Sequence, residues 1–151
     1  MRGLSPEARR QRLLRKFYRS GREGMWTCPF DNLPADVRKK LLDMAAVQNE
    51  ELAVLSYFRD PEHWVLLTTA QVVTWRPEGI LHLPWSEIEN ATVDETHVHG
   101  ALTSNENGKL TLERLKLLLR GGKAVEVEIE AGAAFFGFWN VLKMVAAMNN
   151  T

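Results

Sequence analysis

Eight positive side chains fall within the first 22 residues, and they are the groups best placed to do chemistry in this chain. Arg2, Arg9, Arg10, Arg12, Arg15, Lys16, Arg19 and Arg22 stand against one acid, Glu7, for a net +7. Guanidinium forks and ammonium groups grip phosphates and carboxylates, so the chemistry on offer is anion recognition rather than bond making. The remaining residues carry 11 positive and 18 negative groups, a net −7, so the overall charge of zero conceals a basic arm on an acidic body. Leu13, Leu14, Phe17 and Tyr18 form a narrow apolar stripe among the cations at helical spacing. The candidate binding residues are therefore Arg9, Arg10, Arg12, Leu13, Arg15, Lys16, Phe17 and Arg19.

Other groups offer less. His97 and His99 alternate, so on a strand both point to one face, as a metal pair needs, with His82 and Asp94 or Glu95 to complete a site. A solvated strand face is the preferred account, and no metal or cofactor is expected. Cys28 is the one cysteine, which rules out an internal disulfide and a thiolate cluster. No motif supplies it with a base, so a half-buried linker thiol is expected. The hydroxyls of Ser56, Thr68, Thr69, Ser86 and Ser104 sit in no nucleophile elbow. Glu126, Glu128 and Glu130 alternate along one face, where pairing with Lys116 and Arg114 accounts for two of them. No catalytic constellation emerges, and the chain is read as a non-enzyme.

The elements that must carry these groups follow from periodicity. Residues 5–20 read as a helix, with Ser5 as cap, Pro6 in the first turn and Gly21 past the end. Residues 21–32 read as a linker and 34–48 as a second helix. From Glu50 the period changes to that of strands. Runs at 52–58, 64–69, 72–76, 80–85 and 87–93 alternate with turns, and a further strand is expected at 97–102. Around Pro77-Glu78-Gly79, a three-residue loop pairs Trp75 with Leu81 and Val73 with Leu83.

The segment Thr111–Arg120 is rich in helix formers. Cross-strand arithmetic overrides that preference. A loop at Gly121-Gly122-Lys123 pairs Leu119, Leu117 and Leu115 with Val125, Val127 and Ile129, and sets Lys116 and Arg114 against Glu128 and Glu130. After Gly132 a helical face returns through Phe135, Phe138, Trp139, Leu142, Val145 and Met148.

Leu66-Leu67-Thr68, Pro84-Trp85-Ser86-Glu87-Ile88 and the final strand with its aromatic-rich helix resemble the bacterial pleckstrin-homology-like (PH-like) domain. The resemblance covers roughly residues 50–149. It implies a mainly β fold with helices: a PH-like seven-stranded antiparallel barrel capped by a C-terminal helix. Residues 1–49 would add a basic two-helix extension. The resemblance also implies a non-catalytic interaction module. The loop Phe58 to His63 holds one Arg and two acids, which does not suit inositol phosphate.

The expected ligand is a protein partner or a second copy of the chain. The alternative is peripheral attachment to an anionic membrane through helix 5–20, where each basic residue contributes about 1 kcal/mol. Nucleic-acid contact through phosphates ranks third. A helix packed on its own barrel, arginines toward the acidic body, is the structural account of the same residues. One cysteine, no secretory signal and no long apolar run suit a cytoplasmic protein, at most peripheral to a membrane.

Overall fold

A computed structural model describes residues 5–93 and 113–149. The expected strand at 97–102, with His97 and His99, lies outside the described residues. Helix α1 (Pro6–Ser20) is followed by a short strand β1 (Thr27–Pro29) and helix α2 (Ala35–Ala45). Strands β2 (Ala53–Asp60), β3 (His63–Thr68), β4 (Gln71–Thr74), β5 (Leu81–Pro84) and β6 (Ile88–Thr92) come next. Strands β7 (Arg114–Leu119) and β8 (Ala124–Glu128) precede the closing helix α3 (Ala133–Asn149).

The fold is mainly β with helices. The described strands make two antiparallel sheets, ordered β1-β2-β3-β4-β5 and β6-β7-β8, rather than one closed barrel of seven. The larger sheet is covered on both faces, which explains the uninterrupted apolar run of β3. Val65 and Leu67 enter a core shared with Ile88, Leu115, Leu117 and Val127 of the smaller sheet and Phe135, Phe138 and Leu142 of α3. Trp64 and Leu66 point the other way, where Leu41 and Ala45 of α2 close a second core with Phe30 and Val73. Strands buried on both faces lose the polar alternation of a half-exposed sheet.

The Leu66-Leu67-Thr68 segment and the Pro84-Trp85 turn lock together. Thr68 Oγ1 accepts from the backbone N–H groups of Ala70 and Gln71, both at 3.0 Å, and so tightens the β3–β4 turn. The Thr68 hydroxyl in turn donates to the buried Glu51 carboxylate, which also accepts from Gln71 Nε2 at 3.0 Å and Gln48 N at 2.8 Å. Trp85 follows Pro84 in a single 3-10 turn and docks on the same turn. Its Nε1 donates to Thr68 O at 3.0 Å and its N–H to Ala70 O at 2.9 Å.

Both hairpin registers differ from the sequence expectation. Residues 114–119 form a strand, against their helical propensity. Leu115 opposes Val127, Leu117 opposes Val125, Arg114 opposes Glu128 and Lys116 opposes Glu126. Leu119 N donates to Lys123 O at 2.8 Å, so the loop is Arg120-Gly121-Gly122, one residue earlier than expected. Gly121 and Gly122 take φ of +90° and +87°, the region that only glycine enters cheaply. The register therefore moves by two residues. An even step keeps every side chain on its expected face, but it separates Glu130 from Arg114.

In the β4–β5 hairpin the step is odd. Val72 opposes Leu83 and Val73 opposes His82. Strand β4 stops at Thr74, whose hydroxyl donates to Trp64 O at 2.9 Å, so the connecting loop is longer than three residues. Val72 and Leu83 thus reach the main core, while Val73 joins the α2 side with the half-buried Trp75 and Ile80.

The outer strands of the larger sheet are short, and each ends in proline, Pro29 in β1 and Pro84 in β5. Trp139 of α3 donates from Nε1 to Ala91 O at 2.9 Å, which ties the closing helix to β6.

Candidate interaction surface

Helix α1 positions the basic cluster. Ser5 Oγ accepts from Ala8 N at 3.1 Å, Pro6 fills the first turn, and Gly21 N donates to Phe17 O at 2.9 Å. These caps fix the helix at both ends. Leu13 and Phe17, four residues apart, are fully buried in the main core. Burial of two such side chains contributes roughly 1.5–3 kcal/mol each. The helix ends in a backbone contact: a Cβ at Gly21 would stand 2.2 Å from Ala133 O, and one at Gly137 would stand 2.8 Å from the Phe17 ring. Only glycines let α1 and α3 approach this closely.

The linker after α1 is clasped as well. The Glu130 carboxylate accepts from Met25 N at 2.6 Å, Trp26 N at 2.8 Å and Thr27 Oγ1 at 2.7 Å. Strand β1 then pairs with β2 through Cys28 and Ser56. Arg59, expected in a loop but placed near the end of β2, lies over Trp26 with its guanidinium carbon 5.0 Å from the ring centroid.

The eight candidate residues thus divide by face. Leu13 and Phe17 point inward, so the apolar stripe does not face solvent as a whole. Arg9 donates to Thr69 O at 3.1 Å and lies over Trp85, 5.5 Å from the ring centroid. Arg10 donates to Asp31 at 2.7 Å and has Glu7 at 3.4 Å. These two cations bolt α1 to the body. Lys16 is half-buried.

Arg12, Arg15 and Arg19 are exposed and form no ion pair among the described residues. They occupy successive turns of one face, spanning about 10 Å along the axis. Like charges four apart cost a few tenths of a kcal/mol, a cost the buried Leu13 and Phe17 outweigh.

Beside these arginines runs an open, mostly apolar groove of 540 Å³, lined by Gln11, Leu14, Arg15, Tyr18 and Arg19. Tyr18 is 50% exposed, and its hydroxyl donates to Glu23 at 2.8 Å. Partial burial, then Glu23, pushes its phenol up to about 12. It therefore stays neutral beside the arginines.

A second opening of 390 Å³ lies where the tips of β3 and β4 face β8. Glu62, Glu78, Glu126 and Glu128 line it together with Arg76 and Arg114, over Trp75 and Val127. Arg76 donates to Glu126 O at 2.7 Å. At its edge Asp60 accepts from His63 Nδ1 at 2.8 Å, the main cause that holds its carboxyl below the usual carboxylate range, with the Glu62 N–H adding to it.

Cys28 is half-buried on β1, and burial, then Glu23, pushes its thiol up, away from the thiolate a nucleophile requires. Among the described residues no three His, Cys, Asp or Glu side chains gather as a metal site needs. No described helix is long and apolar enough to cross a membrane.

Sequence reasoning singles out the cations and, in the apolar stripe, Leu14 and Tyr18, but misses the Glu130 clasp and the acidic cleft. Neither of these has a local signature: the clasp joins residues over 100 apart in the chain. Comparison with family models, with curated proteins and with solved structures found no match.

Proposed function

We propose that the chain is a PH-like, non-catalytic interaction module that binds an acidic protein surface through the outward face of α1. The PH-like reading draws support from the element order, a meander of β2 to β5, a meander of β6 to β8, and a closing helix packed on the second. The observation that carries the binding reading is the division of α1 into two faces. Leu13, Phe17, Arg9 and Arg10 hold the helix, and Arg12, Arg15 and Arg19 stand outward beside an apolar groove. A rigid helix pays little ordering entropy on binding. Carboxylates suit the guanidiniums, and one apolar side chain suits the space between Leu14 and Tyr18.

Peripheral membrane attachment uses the same cations. It is disfavoured because insertion needs the apolar stripe, and two of its four residues are already spent on the core.

Binding of a fluorescent oligoglutamate peptide, beside co-sedimentation with phosphatidylserine vesicles, tests the choice. The peptide is expected to bind the unaltered protein at low salt, to weaken as salt rises, and to lose binding to Arg12→Glu/Arg15→Glu/Arg19→Glu. Vesicle binding lost in that variant, with no peptide binding in either protein, would replace this reading with the membrane one.

A further inference from the structure

We infer that the partner of the α1 face is a second copy of this chain, docked by its acidic cleft between the β3–β4 tips and β8. This inference rests on the reading of α1 as the contact face and names its occupant. The argument is charge complementarity within one sequence. Residues 1–22 carry +7 and the rest −7. A chain that satisfied this asymmetry internally would pair its outward arginines with its own acids. Arg12, Arg15 and Arg19 form no such pair with any described residue.

The cleft is where carboxylates collect: Glu62, Glu78, Glu126 and Glu128 line one opening, against Arg76 and Arg114. Arg114 faces Glu128 across the β7–β8 ladder, and Arg76 is turned onto the Glu126 carbonyl. Glu62 and Glu78 are exposed and form no ion pair among the described residues.

Both surfaces also set an apolar group beside charge. Pro77 is exposed beside Glu78 at the hairpin tip, an apolar group next to an acid. The α1 face presents the reverse, the Leu14–Tyr18 groove next to Arg15 and Arg19. Trp75, half-buried, also lines the cleft. The two surfaces are different patches of one chain, so the contact is head-to-tail. Such contacts build rings or open chains rather than a symmetric pair.

Sedimentation velocity at low salt, over a concentration series, tests this. The unaltered protein is expected to form concentration-dependent assemblies that added salt dissolves. Arg15→Glu/Arg19→Glu breaks the face and keeps the cleft, while Glu62→Arg/Glu78→Arg does the opposite. Each variant alone is expected to be monomeric, its self-affinity weakened roughly 100-fold by like charges brought together. Mixed in equal amounts, the two variants retain one working face and one working cleft. The reversed face and the reversed cleft are complementary to each other as well, so the mixture is expected to regain the salt-sensitive, concentration-dependent assembly that neither variant shows alone. A monomeric unaltered protein, a monomeric mixture, or a variant that still assembles overturns the proposal.

Oligoglutamate binding to the unaltered protein, compared with Arg15→Glu/Arg19→Glu, separates the two levels. If it is present while the unaltered protein stays monomeric, only the second-copy partner is wrong. If it is absent too, the α1 face is not the contact.

Discussion

Replacing Glu130 with Gln keeps the shape of the side chain and changes what its head can accept. Three donors converge on the carboxylate: Met25 N at 2.6 Å, Trp26 N at 2.8 Å and Thr27 Oγ1 at 2.7 Å. The amide has one acceptor oxygen, so its NH₂ must face a donor in either orientation. The least costly choice turns the NH₂ toward Met25, whose exposed N–H can take water instead. That forfeits one bond outright. The other two drop from charge-assisted to neutral, a loss of about 0.5–1 kcal/mol each. The total is about 2 kcal/mol. For a domain of this size that lowers the melting temperature by roughly 4–8 °C.

The loss should be local before it is global, because Leu13 and Phe17 still hold α1 while the 25–27 segment lets go. Urea and thermal denaturation give the magnitude, and amide exchange at Trp26 gives the location. A loss under about 0.5 kcal/mol, or a Trp26 amide as protected as before, would refute the view that Glu130 clasps the linker.

Two further outcomes follow from the packing. Gly21→Ala places a methyl 2.2 Å from Ala133 O and 2.6 Å from Gly137 N, backbone atoms of a packed helix that cannot swing aside. It is expected to cost about 3 kcal/mol in urea denaturation, at the upper end for overpacking, and a cost below 1 kcal/mol would contradict the close approach of α1 and α3. Tyr57 is buried with Glu128 near its hydroxyl, and burial first, then Glu128, pushes its phenol up to about 12. The folded state therefore holds this proton more tightly than the unfolded chain, whose phenol titrates near 10. The resulting stability is complete below about pH 10 and is lost as pH rises toward 12. In a Tyr18→Phe background Tyr57 is the remaining tyrosine, and its phenolate absorbance should not rise near pH 10 while the protein is folded; a full step there sinks the assignment.

Much of the fold was legible because periodicity survives in single sequences. The alternation of Leu115, Leu117 and Leu119 correctly overrode the helical propensity of that stretch. The register was two residues off, an error that alternation cannot detect because it leaves the faces unchanged. In the β4–β5 hairpin the assumed short loop gave an odd slip, and the hydroxyl bond that ends β4 at Thr74 has no sequence signature. Strand β1 was read as linker because Thr27-Cys28-Pro29 is too short to show a period and contains proline.

In α1 the sequence offered Leu13, Leu14, Phe17 and Tyr18 as one stripe. Adjacent residues on a helix differ by 100°, so only one pair, Leu13 and Phe17, could face the core squarely. Phe17 packs closely on Gly137 of the opposing helix, more than a hundred residues away, a contact that the local sequence does not display.

The prolines that close the larger sheet bear on how copies of this chain can meet. A free strand edge is a template: its open N–H and C=O groups accept another chain's backbone, and stacking then continues without limit. Pro29 and Pro84 remove a donor from each outer strand, and strands of three and four residues offer little else to pair with. Growth by main-chain zippering of this sheet is thereby blunted at both ends. The proposed contact between copies would then run through side chains rather than through the edges of this sheet.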